Sequence, residues 1–166
     1  MSGKASGLGK GFFAIGIENS KTPSNVGTLM RSAVCFGASF VFVIGTRYPR
    51  QCSDTVKSWR QLPLFEYESI EDFNDHRPLD VPLIGVELAE DAKPLETFTH
   101  PDRAIYLLGP EDGNLSLKAQ GYCQDLVRFS SRFCLNVASA GSVVLYDRTA
   151  KASSPLMAER PVKVLS

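Results

Sequence analysis

Histidine is scarce in this 166-residue chain: only His76 and His100 occur, too few to build a His-rich metal centre or a His-based nucleophilic triad. The four cysteines, Cys35, Cys52, Cys123 and Cys134, lie far apart and form no C-x-x-C pair. That spacing argues against a zinc or disulfide framework, and the apolar surroundings of three of them suit buried, reduced thiols. No apolar run approaches the ~20 residues that span a bilayer, and Met1–Lys10 (MSGKASGLGK) lacks the apolar core of a secretory signal. A cytoplasmic protein is expected. No G-x-G-x-x-G follows the first apolar run, which removes a dinucleotide-dependent oxidoreductase. Gly7, Gly9 and Gly11 have the composition of a phosphate loop, but they precede that run instead of following it.

What is present is enough for one domain. A chain of this length with 43% hydrophobic residues fills a single core. The formal charge is zero, yet its distribution is uneven: residues 1–60 carry net +6, residues 61–127 net −10 and residues 128–166 net +4. If the two basic ends meet in space, one face can hold a polyanion.

The stretch Asn19–Gly37 (NSKTPSNVGTLMRSAVCFG) follows a β-rich apolar run, Phe12–Glu18, so Thr22–Asn25 fall at a strand's carboxyl end, where open α/β sheets place ligands. Val26, Leu29, Met30, Ala33, Val34 and Gly37 form one apolar helical stripe. Arg31 lies off that stripe, one turn above Gly27, which leaves room for a ligand beside the guanidinium. Ser24 or Asn25 can cap the helix, whose free N–H groups favour an anion.

Further strands are expected at Ser39–Gly45, Leu64–Tyr67, Val81–Val86, Ala104–Leu108 and Cys123–Phe129, with helices at Ser69–Asp75 and Leu115–Gln120. Such alternation of apolar strands with helices indicates a mostly parallel six-stranded α/β sheet covered on both faces. Between the second and third strands, Arg47, Arg50, Lys57 and Arg60 surround Trp59, the one tryptophan. An aromatic among cations suits RNA contact, or pins a loop to the core. Ala104–Leu108 runs into Gly109-Pro110-Glu111-Asp112-Gly113-Asn114, a second candidate ligand loop. The last element, from Cys134 (CLNVASAGSVVLYDR), is apolar on nearly every side and rich in small residues. It must be buried within the domain or at a subunit interface. The organisation expected is a basic arm over 1–11, one domain over 12–150 and a tail over 151–166.

Three segments, PSNVGTLMRSAVCFGA, LLGPEDGNLS and CLNVASAGSVVLYDR, resemble in order and spacing the three motifs of the SpoU/TrmH branch of the SPOUT superfamily. These are RNA ribose 2′-O-methyltransferases that use S-adenosylmethionine. The resemblance covers about Phe12 to Arg148. It implies an α/β sheet whose C-terminal part is tied in a deep trefoil knot, an exception to the rule against threading. It also implies a homodimer that brings the first motif of one subunit near the cofactor of the other, and tRNA or rRNA as substrate, with no metal.

Carried over position by position, Asn25 and Arg31 form the first-motif pair, Glu111 is the acid of the second motif and Asn136 the asparagine of the third. Arg31 would orient the target ribose and its phosphate, since a guanidinium is a poor base in water. The resemblance places the cofactor against Val86, Glu87, Leu108, Gly109, Pro110, Phe129, Cys134, Leu135 and Ala138, and the RNA target at Arg31; Arg47, Arg50, Lys57 and Arg60, from their interleaving with Trp59, are the further candidate RNA contacts. Two features depart from the family's pattern. Cys134 stands where the third motif usually carries serine, and a thiol is the weaker hydrogen-bonding group. The loop before it, Val127–Phe133, is short and lacks the usual Ile-Pro step. Both motivate the alternative reading, a knotted RNA-binding or scaffold protein that has lost catalysis.

Overall fold

The computed structural model describes residues 11–48 and 61–152. Within them seven strands form one sheet: β1 (Phe13–Ser20), β2 (Val41–Thr46), β3 (Leu64–Tyr67), β4 (Leu83–Val86), β5 (Lys93–Pro94), β6 (Ala104–Leu108) and β7 (Asp125–Arg128). The order is β3-β2-β1-β6-β4-β7-β5, and every pairing is parallel. The sequence reading missed β5, because a Lys-Pro pair carries no apolar period. Among the described residues no helix is long and apolar enough to cross a membrane.

Among the described residues four α-helices cover the sheet: α1 (Pro23–Phe36), α2 (Ile70–His76), α3 (Leu117–Tyr122) and α4 (Val137–Lys151). Alternation within the strands divides the core in two. Phe13, Ile15, Ile17, Tyr106 and Leu108 face α1 and α4 with Leu29, Met30 and Leu145. Ala14, Phe42, Leu83, Ile105 and Leu107 face the side of α2 and α3 with Ile70, Phe73 and Ala119. Each central strand is therefore buried on both faces, as a parallel sheet requires. Of the two basic end segments, the described helices do pack together, α1 along α4. A Cβ on Gly141 would stand 2.4 Å from Leu29 Cδ1, so the absence of a side chain there sets how closely the two helices approach.

The helix starts differ from expectation. Thr22, extended at φ −123°, is the N-cap of α1 but makes no side-chain cap bond, and Pro23 occupies the first turn. Ser24 and Asn25 thus lie inside the helix. At the other end Gly37 closes α1 in the left-handed region, φ 79°. The last helix begins at Val137, later than Cys134, because Asn136 caps it: its side-chain oxygen accepts from the N–H of Ala138 and Ser139. That helix is not buried all round, since Val143 and Tyr146 are exposed on the side away from the sheet.

The three thiols in the described region are not the buried set expected: Cys35 and Cys134 are exposed and Cys123 is half-buried. Cys35 falls on the outer side of α1, and Cys134 sits in an open loop.

Candidate active site

The strand order reverses at β1. The chain runs outward through β2 and β3 on one side, then returns to build β6 and β4 on the other. The crevice at such a switch point, beyond the carboxyl ends of the strands, is where open α/β sheets bind ligands. Here the β1–α1 junction meets the loop after β6, and Glu111 joins them. Its Oε1 accepts from Ser20 Oγ at 3.1 Å, the Thr22 N–H at 3.0 Å and Asn25 Nδ2 at 2.9 Å, while Oε2 accepts from the Lys21 N–H at 2.8 Å.

The amide orientations follow from donor and acceptor counting. Asn136 Oδ1 faces the N–H groups of Ala138 and Ser139. Its Nδ2 is therefore free to donate to Asn25 Oδ1, at 3.1 Å, which turns Asn25 Nδ2 toward Glu111. A directional chain, Asn136 to Asn25 to Glu111, thus ties the start of α4 to the start of α1. Partial burial alone would raise the Glu111 carboxyl. The hydrogen bonds from Asn25 and from the Lys21 and Thr22 backbone outweigh it, and the pKa lies below the ordinary glutamate value. With four donors on two oxygens, this carboxylate has little capacity left to act as a base.

The loop after β6 is held at three further points. Asp112 receives Arg47 Nη1 at 3.1 Å and Arg47 Nη2 on its other oxygen, with Lys21 Nζ at 3.5 Å. The Arg47 hydrogen bonds hold the Asp112 carboxyl at about 2. The Leu115 N–H donates to Glu87 Oε2, and Ser116 donates through N–H and Oγ to the buried Glu18. Two carboxylates of the loop itself, Glu111 and Asp112, and two from other strands' ends, Glu87 and Glu18, therefore fix it, which pre-organises it for a ligand.

Beside this clasp lies a cavity of about 350 Å³ formed by the loops that follow β4, β6 and β7. Its size lies within the range of small-molecule sites. Of the positions implied for the cofactor, Val86, Glu87, Leu108, Gly109, Pro110, Phe129, Cys134 and Leu135 line it, as does Glu111. Ala138 does not: it is 1% exposed, packed into the core, and Val137 and Ala140 line the cavity in its place. The walls combine apolar side chains with backbone groups and the acids Glu87, Glu111 and Asp112, with Arg128 as the lining cation. This suits a ligand with a flat apolar part and a positive centre.

The implied RNA contacts divide. Arg31 is exposed on α1, and a Cβ on Gly27 would meet nothing within 4 Å, so that flank is open. Arg47 is engaged by Asp112 and by the Asn19 carbonyl at 3.1 Å, which takes three of its five N–H donors. Arg50, Lys57 and Arg60, with Trp59, lie outside the described residues. Sequence reasoning missed Glu18, Lys21, Arg47 and Asp112 as loop ties. Partners 65 and 98 residues away leave no local pattern.

Fold and site together define a class: a parallel α/β protein whose ligand cavity is built by three loops next to a topological switch point, with a carboxylate–amide chain joining two helix starts. The sequence model of the SpoU rRNA Methylase family matches residues 13–146, and the chain belongs to that family. Its fold is similar to an AdoMet-bound rRNA methyltransferase from Sinorhizobium meliloti, with 24% identity, a TM-score of 0.76, and 87% of this chain and 58% of the other covered. It is also similar to the SpoU methyltransferase AviRb from Streptomyces viridochromogenes in complex with AdoMet, with 23% identity, a TM-score of 0.73, and 86% and 61% covered. A structure concerned with 2-OH methylation of C/U34 on tRNA shares 18% identity at a TM-score of 0.74, with 86% and 92% covered. The chain spans about three-fifths of the length of the first two. No curated protein matches it in sequence.

Proposed function

We propose that this protein is an S-adenosylmethionine-dependent methyltransferase acting on a ribose 2′-hydroxyl of tRNA or rRNA, as a cytoplasmic homodimer. The observation that carries the reading is the joining of Asn25, Glu111 and Asn136 in one hydrogen-bonded chain beside the three-loop cavity. AdoMet in two proteins of like fold supports the cofactor, and the 2-OH methylation named for a third supports the ribose hydroxyl.

The residues fit the cofactor. Val86, Leu108, Phe129 and Leu135 would hold the adenosine with backbone groups of the loops, and the acidic lining suits a sulfonium. S-adenosylmethionine, when bound, supplies an electrophilic methyl group. The chain's own task is then to align a weakly acidic hydroxyl and keep water out. Arg31 orients the hydroxyl and the adjoining phosphate. Glu111 holds the loop and the α1 start in place. The exposed Val143 and Tyr146, with Cys35 on the neighbouring helix, form an outer face across α1 and α4 that supports the dimer. In this reading the dimer brings Arg31 of one protomer to the cavity of its partner, and the C-terminal loops are threaded as a trefoil knot.

The test is transfer of labelled methyl from S-adenosylmethionine to unmethylated total RNA. Wild type should label RNA at ribose 2′-O, and Arg31→Ala should lose at least a hundredfold in rate with its unfolding midpoint unchanged. Near-normal turnover by the variant would remove Arg31 from the mechanism. A folded wild type that binds RNA but transfers no methyl would favour the non-catalytic reading.

A further inference from the structure

Between β7 and α4 the side chains of one short loop divide into two sets. Phe129, Ser131, Cys134 and Leu135 line the cofactor cavity, whereas Arg132 and Phe133, set between them, do not. Phe133 is 84% exposed, and no ring or cation contact to it is found among the described residues. Arg132 is exposed as well. The loop is anchored nonetheless: the Ser130 N–H donates to Glu96 Oε1 at 3.2 Å, and Ser131 Oγ donates to the Phe133 carbonyl at 2.9 Å.

Next to this pair lies an open hollow of about 700 Å³. It shares Leu88, Arg128, Phe129 and Ser131 with the cofactor cavity and adds Arg132 and Ser130, with Glu90 as its one carboxylate. Arg128 is tethered through Nε to the Ala92 carbonyl at 3.1 Å. This holds Arg128 where it lines both spaces, with the Glu96 carboxylate near enough to feel its charge. Two guanidinium groups and two hydroxyls thus line the hollow beside the cavity, and the solvent-facing ring of Phe133 follows Arg132 in the chain.

We propose that this rim is the landing site for a single-stranded stretch of the RNA substrate flanking the modified nucleotide: Phe133 stacks on a base, and Arg132 and Arg128 meet phosphates. The inference rests on the methyltransferase reading and names where its substrate docks. An aromatic face bordered by cations is the arrangement that holds single strands, because every base has a π-face and every nucleotide a phosphate. A role as adenosine wall would require Phe133 inside the cavity.

The experiment measures fluorescence anisotropy of a labelled 12-nucleotide single-stranded RNA of random sequence, beside calorimetry with S-adenosylhomocysteine and sedimentation of each variant. Phe133→Ala should weaken RNA binding about tenfold, and Phe133→Trp should retain it. Arg132→Ala should lower the salt dependence of log K by about 0.7, the loss of one single-strand phosphate contact. Affinity for S-adenosylhomocysteine and the oligomeric state should not change. The proposal is overturned if Phe133→Ala weakens S-adenosylhomocysteine with RNA binding intact, if it dissociates a dimer, or if RNA binding is unchanged. It is equally overturned if wild type binds S-adenosylhomocysteine but not the oligonucleotide. Failure of wild type to bind S-adenosylhomocysteine would instead sink the methyltransferase reading beneath it.

Discussion

Replacing Glu111 with alanine removes an acceptor that serves four donors at once. A hydrogen bond to a charged group contributes ~1.5–3 kcal/mol when its loss leaves the partner buried. The four partners are not equal. Ser20 is fully buried and its side chain keeps only the Tyr48 hydroxyl as a partner, Thr22 and Asn25 are half-buried, and the exposed Lys21 N–H finds water. Counting Ser20 in full and the half-buried pair in part gives a loss of about 2–4 kcal/mol. Glu111→Gln retains one carbonyl oxygen but turns an NH₂ toward donors, so it should lose about half as much. Urea unfolding at pH 7 measures both. Because the folded carboxyl is depressed below its ordinary value of 4.5, its charge-dependent stabilisation is complete above that value. It fades as pH falls through the folded pKa, so the gap between wild type and Glu111→Gln should narrow in acid. If Glu111→Ala stays within about 0.5 kcal/mol of wild type, the range of ordinary surface changes, the clasp does not hold the site together.

Two further outcomes follow from the same structure. His100 is enclosed: Arg148 donates to Tyr106 Oη, Tyr106 in turn donates to His100 Nδ1, and Nε2–H donates to Asp147, which also pairs with Lys151. Burial lowers the His100 pKa below 6.5, so the unfolded chain binds this proton more readily. Stability should then fall as pH drops through about 6.5, by at most ~1.4 kcal/mol per pH unit for one proton. His76 is raised by its bond to the Asp72 carbonyl and acts in the opposite sense, so denaturant unfolding of His76→Gln isolates the effect; a flat profile from pH 7 to 5 would refute it. In alkylation by iodoacetamide at pH 8, Cys123, which burial pushes up to about 12, should stay unmodified. Cys134, exposed and lining the cavity, should react and be protected by S-adenosylhomocysteine. Peptide mass mapping reads both, and no protection would place the cofactor elsewhere.

Local chemistry in the sequence marks most of the architecture. Ala104–Leu108 and Leu64–Tyr67 coincide with their strands, and Ser69 caps α2 through the Asp72 N–H as a Ser-x-x-Asp pattern suggests. What was hidden depends on long-range partners. The paired state of Arg47 needs Asp112, 65 residues away, so a loop rich in cations looked free for RNA. The capping of α1 passes from Ser24 or Asn25 to the Glu111 carboxylate because Pro23 starts the helix early and Asn25 is spent on the link to Asn136. The true start of α4 was within reach, since Asn136 followed by Val-Ala-Ser is a capping signal, but the unbroken apolar character from Cys134 onward masked it. The site's three polar residues were legible only through their likeness to family motifs; no spacing rule brings residues 25, 111 and 136 together.

The most direct measurement is isothermal titration of the folded protein with S-adenosylhomocysteine. Saturable binding near one site per chain, lost when Gly109 is replaced by valine, is the expected result: a Cβ at Gly109 would lie 2.7 Å from the Leu115 nitrogen, and the loop that floors the cavity would have to open. A wild-type protein that is folded by circular dichroism yet takes up no S-adenosylhomocysteine would contradict the claim that the three loops form a cofactor site.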